Sequence, residues 1–419
     1  MGYLREAKMR MELRLKPIVH WGLILAMALT LAACDCQGQS ASGSDQGAAA
    51  FALEQQGKDV EAEAAWREIV KRSPKNSEAY AHLGFLEARQ QHYSQAILFY
   101  RKASALNPSM PGLQLNLGLA LFKSGEMKGA IRTFEPLLKS ESPSSPDAQR
   151  LRILLGMAHY GVGDYAAAVP YLRDAMARDP QNLPYRLVLA ESCLRSKQYQ
   201  CVLDVYHQIL LLNAESAEAD MLAGEALDEM RDHPGAIRQF RAAVKADPKA
   251  PGVHFGLGYL LWTQNQFEEA AQQFQLEVDN APNDAQALAY LADSNVRLNR
   301  PEVARPILER TLRLNPRQEL PYIDLGILDS TAGSKEKALR EFETAASISP
   351  EDVQVHWRLA RLYQSMGRKE EAKAEFAKTK SLNKAADETV LTKLGDAHAK
   401  NKPTEPASAE PQGSEQLHD

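Results

Sequence analysis

Cysteine is scarce in this chain of 419 residues, with only four, at positions 34, 36, 193 and 201. That is too few for a disulfide framework, and neither C-x-x-C nor C-x-x-C-H occurs, so no redox or haem-attachment motif is present. Charge of one sign is also lacking. Charged residues make up 25% of the chain, the formal net charge is −5, and no lysine/arginine block interrupts the body. An electrostatic nucleic-acid binder is thereby set aside. Catalytic signatures are missing too: there is no GxSxG elbow, HExxH, Walker A loop, EF-hand loop or three-glycine dinucleotide fingerprint. Gly256-Leu-Gly258 is the nearest approach to a glycine loop. Paired carboxylates such as Glu268-Glu269 and Glu370-Glu371 open helices, where negative charge suits the macrodipole. What the chain does have is 44% hydrophobic residues, enough for a substantial core. Length alone predicts two or three domains of roughly 150 residues, unless an internal repeat takes over.

Long apolar runs are nearly absent as well, and the one that exists lies at the front. Arg5, Lys8, Arg10, Arg14 and Lys16 precede an uncharged stretch, Pro17 to Ala33, cored by Trp21 to Leu31. A basic leader, an apolar stretch of this length and small residues at its end predict a secretory signal peptide over 1–33. The run is short for a spanning helix, which needs about 20 apolar residues. Its end, Leu31-Ala32-Ala33-Cys34, resembles the lipobox of bacterial lipoproteins. The resemblance implies cleavage before Cys34 and acylation of that residue, which with several chains makes a stable membrane anchor. An uncleaved signal anchor with Cys34 incidental is the alternative. Met9 and Met11 are alternative start residues. Asp35 resembles an inner-membrane retention signal, and the choice between inner and outer membrane stays open. Cys36 reads as an incidental thiol. The small, polar stretch that follows makes 34–50 a flexible tether, reaching roughly 20 Å. The proline-rich end, 400–419, reads as disordered.

Between these ends the sequence repeats. Prolines 74 and 108 are 34 residues apart, and so are 248, 282, 316 and 350 in succession. The gap from Pro180 to Pro248 is two such units with Ala214 at its midpoint, and the gap from Pro108 to Pro180 is two units plus four residues. The extra four fall in Ser140-Glu-Ser-Pro-Ser-Ser-Pro146, a loop by composition. Nine units therefore run from Ser77 to Lys384, preceded by a degenerate one ending at Pro74. Slot 8 is always Gly or Ala: 84, 118, 156, 190, 224, 258, 292, 326 and 360. Slot 20 is alanine except for Val202, and slot 24 is always large, as in Tyr100, Phe134, Phe240 and Phe342. Two antiparallel helices per unit explain this, with small residues where the axes approach and large ones as knobs between them. Where slot 32 is proline, it ends the second helix. Prolines 136, 170 and 306 fall inside second helices and predict mild kinks.

This pattern resembles the tetratricopeptide repeat. The resemblance implies an all-α, right-handed superhelical solenoid of about nine to ten helix-turn-helix units over 51–384. A capping helix is expected at 385–399, where Val390, Leu391 and Leu394 share a face before the chain turns polar. The family implies a concave face lined by slots 2, 5, 9 and 12 of each first helix. Some members carry a lysine/asparagine clamp for a C-terminal carboxylate there. Here slot 5 has no lysine and slot 9 no asparagine, so that clamp is absent.

Three bands on this face stand out as candidate ligand-binding residues. Phe255, Tyr259 and Trp262 fall at i, i+4 and i+7 on the first helix of unit 6. Leu115, Leu119 and Phe122 repeat the arrangement in unit 2, and Ile153, Met157 and Tyr160 in unit 3. These exceed what one buried stripe needs and predict a partly exposed apolar patch. The alternative is that they are buried as additional core. Between them Glu191, Glu225, Asp228 and Glu229 add negative charge, so the expected ligand has apolar anchors and a basic middle. Cys193 and Cys201 lie near the facing ends of the two helices of unit 4. A disulfide between them is one reading, if the α-carbons approach within about 7 Å, and two small buried hydrophobes are the other. His254 and His356 sit in slot 4, where Tyr80 and Tyr322 also sit, and read as core. No cofactor, metal or catalytic residue is expected. The functional expectation is a lipid-anchored scaffold or assembly factor binding protein segments on the periplasmic side of the cell envelope. Polysaccharide binding through exposed aromatics is the alternative. Oligomeric state is left open.

Overall fold

The computed structural model describes residues 44–179, 181–212 and 216–400. The signal segment, Cys34, Cys36 and the 401–419 tail lie outside the described residues. All regular structure among the described residues is helical. The chain divides into two units, one up to Asn265 and one from Gln266. In the first unit the helices are α1 (Ser44–Gln55), α2 (Asp59–Arg72), α3 (Ser77–Arg89), α4 (Tyr93–Leu106), α5 (Leu113–Lys123), α6 (Met127–Ser140) and α7 (Pro146–Gly161). They continue as α8 (Tyr165–Arg178), α9 (Leu183–Arg195), α10 (Tyr199–Leu210), α11 (Ala217–Glu229), α12 (His233–Ala246) and α13 (Val253–Thr263). The second unit contains α14 (Phe267–Asn280), α15 (Ala285–Arg297), α16 (Pro301–Leu314), α17 (Glu319–Thr331), α18 (Lys335–Ile348), α19 (Val353–Ser365) and α20 (Lys369–Lys400). Within each unit, neighbours pair as hairpins, and each hairpin packs on the next.

The hairpins close where the repeated slots predict, and the contact is direct. A β-carbon placed on Gly326 would lie 2.5 Å from the Phe342 ring, and one on Gly224 2.6 Å from the Phe240 ring. Slot 24 thus sits directly against the slot-8 glycine of its own repeat. Phe240 also presses on Gly256 of the next first helix, which accounts for that glycine without any ligand. The slot-20 alanines from 96 to 338 are fully buried. Losing a buried ring such as Phe134 would cost roughly 3–5 kcal/mol.

Starts and stops are local. Asn76, Ser145, Asn182, Ser216, Asp284 and Asp352 cap first helices by accepting from a backbone N–H two or three residues on. Helices α2, α4, α12, α14, α16 and α18 each end two residues before a slot-32 proline. Between the two helices of every repeat, slot 15 turns through left-handed space. Gly125, Gly163, Gly333 and Gly367 do this freely, whereas Gln91, Lys197, Arg231, Asn265 and Asn299 do it with a side chain, at φ of 55–64°. Prolines 136, 170 and 306 lie inside α6, α8 and α16, each of which remains one helix.

Two boundaries differ from expectation. Helix α1 starts at Ser44 and buries Ala50 completely, so the end of the expected tether is structured. Helix α20 runs unbroken from Lys369 to Lys400, so 385–399 is its continuation and not a separate cap. Unit 9 has Lys384 where other repeats have a proline, and nothing there blocks the i→i−4 ladder.

Because Gly326 meets the Phe342 ring, Gly326→Leu should cost at least roughly 1–3 kcal/mol through overpacking. Hydrogen exchange should accelerate mainly in α15 to α20, since repeats couple chiefly to their neighbours. Uniform acceleration along the chain, or none, would contradict this.

Candidate functional site

The first helices of the N-terminal unit carry every residue proposed from the sequence for ligand binding. Burial divides these residues sharply. On α13, Phe255 is fully buried and Tyr259 is 5% exposed, whereas Trp262 is half-buried. Their rings stack in succession, with centroids 6.3 and 6.2 Å apart. The expected exposed aromatic patch is therefore core apart from Trp262. Every residue from Gly252 to Leu261 is buried, and a helix apolar on all faces is one enclosed on all faces. In the other bands Leu119, Met157 and Tyr160 are buried. Leu115, Phe122 and Ile153, like Trp262, are half-buried, and Leu115 and Phe122 pack against the core cluster while keeping part of their surface accessible.

The acidic residues also separate by role. Glu191 is fully buried and accepts a hydrogen bond from the Tyr160 hydroxyl at 2.5 Å. The Arg195 Nε lies 3.6 Å from its other oxygen. Burial, then the Glu191 charge, pushes the Tyr160 hydroxyl far above its ordinary range. Glu191 thus ties α7 to α9, and it is not an exposed lure for a basic ligand. Glu225 is buried, while Asp228 is half-buried and bonded to His233 Nδ1 at 2.9 Å across the α11–α12 turn. Only Glu229 of the four is exposed. Glu218, on the first turn of α11, was missed although it occupies slot 2. It is half-buried, and burial followed by the Glu191 charge raises its carboxyl.

Cys193 and Cys201 form a disulfide between α9 and α10, with α-carbons 5.9 Å apart. His254 and His356 are both buried, and His356 Nδ1 faces Glu375 at 2.6 Å. Among the described residues no cluster of three or more His, Cys, Asp or Glu is arranged to hold a metal. No described helix is long and apolar enough to cross a membrane.

A second buried acidic arrangement lies in the C-terminal unit. Asp293 on α15 and Asp324 on α17 are both fully buried. Arg297 donates to Asp293 at 3.3 Å, whereas neither Asp324 oxygen has a fixed donor among the described residues. Burial raises the Asp324 carboxyl well above its usual range, the Asp293 charge raises it further, and Arg297 and Arg358 oppose this. A proton on Asp324 would supply the missing donor between the two carboxyls.

With this geometry in view, the comparisons with known proteins are unambiguous about family. A tetratricopeptide repeat family model matches residues 48–111, 115–182, 203–251 and 221–285, and a second matches 159–226 and 331–387. The chain belongs to the tetratricopeptide repeat family. It is similar to BBSome complex member BBS4 of Bos taurus, at 24% identity over 210 residues, covering 50% of this chain and 40% of that protein. It is also similar to the human protein O-mannosyl-transferase TMTC1, at 26% identity over 191 residues, covering 45% of this chain and 21% of that one. The tetratricopeptide chain thus spans less than half the length of these relatives. Among solved structures, MamA matches with 24% identity and a TM-score of 0.35, covering 39% of this chain and 96% of that one.

The buried carboxyl pair makes a testable difference. A carboxyl raised on folding favours the folded state below its unfolded value of about 3.9 and loses that contribution as pH rises through the folded value. Asp324→Asn should therefore stabilise the C-terminal unit at pH 8 relative to pH 5, compared with wild type. Denaturant melts at both pH values, with hydrogen exchange on α17, measure this. Equal pH dependence in the two proteins would refute it.

Proposed function

We propose that this tetratricopeptide protein is a non-catalytic scaffold or assembly factor of the bacterial cell envelope. In this reading it is lipid-anchored through Cys34, faces the periplasm and holds protein segments against the first helices of its N-terminal unit. The observation that carries the binding reading is the row of half-buried Leu115, Phe122 and Ile153, followed by the half-buried Glu218 and the exposed Glu229. Apolar anchors beside negative charge favour an extended or helical segment with a basic stretch. The Cys193–Cys201 bridge suits an oxidising compartment. BBS4 is by name a complex member, and the scaffold reading extends that role here. Burial of Phe255 and Tyr259 takes away the aromatic platform that polysaccharide stacking would need.

A photo-crosslinker at position 122 should trap a protein partner in intact cells, whereas one at position 98 on the second helix α4 should not. Charge reversal by Glu218→Lys with Glu229→Lys should slow association roughly tenfold and weaken its salt dependence. Identical cross-linking at both positions would defeat the site assignment. For the anchor, Cys34→Ala should abolish acylation and release the chain from the membrane fraction. Unchanged processing and fractionation would remove the lipoprotein reading.

A further inference from the structure

The row of repeats has two ends, and each end leaves half of a recurring contact unmade. Within each unit the slot-24 side chain of one repeat lies against slot 6 of the next. Trp66 stacks on His82 with ring centroids 4.4 Å apart, Phe274 meets Tyr290 at 5.5 Å, and Phe240 presses on Gly256. Trp66 belongs to the degenerate first repeat, whose Ala50, Ala62 and Trp66 occupy slots 8, 20 and 24 and are all buried. That repeat is thus a complete hairpin of α1 and α2. From Trp66 to Phe342 slot 24 is at most 8% exposed, the maximum being Tyr206. No hairpin follows the last repeat, and there Phe376 on α20 is 36% exposed. Helix α20 continues unbroken to Lys400, so it does not fold back over its own ring.

The other half lies on α1. Slot 6 is buried in repeats 1 to 8, and slot 10, one helical turn on, is buried in repeats 1 to 9. In the degenerate repeat these slots are Ala48 and Ala52, and both are exposed. Both are small, so a ring can lie close to the helix there, as Phe240 does at Gly256. Charge then decides how two copies could meet. Slot 21 is apolar in repeats 1 to 8 except at Arg305, and slot 28 is apolar except at Ser104. On α20 these slots are Lys373 and Lys380, both exposed and on the same helical face as Phe376. Two α20 faces packed on each other would set these lysines against their own copies. Helix α1 carries no basic residue, so it meets the same face without that repulsion. Lysine stems can lie along apolar surface while their charged ends stay in water.

We propose that this protein self-associates head to tail, with Phe376 of one copy seated on Ala48 and Ala52 of a second copy. Helix α1 of the second copy takes the place that the first helix of a further repeat would occupy, so the contact between repeats continues from chain to chain. Such a contact is heterologous: each copy keeps one end free, and the assembly stays open to further copies. It requires neither the groove on the first helices nor the lipid anchor.

The test is sedimentation equilibrium of the full chain in density-matched detergent. The average mass of the wild type should rise with concentration and pass that of a dimer. Ala48→Arg, at an exposed position that leaves folding intact, should weaken self-association at least roughly tenfold, and Phe376→Glu should do the same. An equimolar mixture of these two variants should form dimers and go no further, because the first keeps its α20 end and the second its α1 end. The mixing result holds even if Phe376→Glu loosens the last hairpin, since that chain contributes only α1. A wild type that stays monomeric overturns the proposal. So does a dimer that persists at wild-type strength in either variant alone, or a mixture in which the two variants fail to pair.

Discussion

The regular part of this structure depends on one contact: a large slot-24 side chain pressed against the backbone at a slot-8 glycine. The contact forces the two helices of a repeat close enough for the slot-20 alanine to be buried between them. It also explains why slot 8 admits nothing larger than alanine in nine repeats. With the hairpin thus closed, each repeat presents an apolar flank that it cannot cover alone, and the next repeat covers it. The Phe240 ring shows the two steps in one residue, because it seats on Gly224 within its own repeat and on Gly256 of the following one.

The turns and stops follow from the same geometry. A pair of helices this close leaves room for only a short connection, and its slot-15 residue must adopt positive φ. Where that residue is Lys197 or Arg231, the close packing imposes a conformation that the residue alone would avoid. The slot-32 proline acts at the other end by stopping the second helix. At Lys384 that stop is absent and the helix continues to Lys400, whereas α10 ends at Leu210 although Ala214 holds the same slot.

What the sequence made legible was therefore whatever recurs. Helix pairs, their register and the small and large slots could be read because nine copies imposed the same steric demand. The degree of exposure on the first helices could not, because it depends on what surrounds each position and not on the position's slot. Phe255 and Phe122 show this: both are aromatic and fall on the same helical face, yet one is fully buried and the other only half-buried. Glu191 was misjudged for a related reason. Its role is set by Tyr160, one repeat away, and no period of 34 relates slot 12 of one repeat to slot 9 of the next. The left-handed slot 15 escaped notice because glycine fills it in only some repeats.

The non-repeating residues are consequently where this chain departs from a plain stack of hairpins. A uniform repeat has no need for a buried glutamate bonded to a tyrosine, two buried aspartates in one place, or a histidine locked between Trp66 and Glu54. Each places a polar group where the repeat would otherwise place an apolar one, at a cost in desolvation that its hydrogen bonds offset only in part. In Glu191 the compensation is internal, through Tyr160 and the nearby Arg195. At His82 the Nδ1 is bonded to Glu54, and the residue also lines a cavity with an apolar wall. Packing alone explains the first arrangement. It does not explain the second, in which a buried imidazole bonded to a buried carboxylate lines open apolar space.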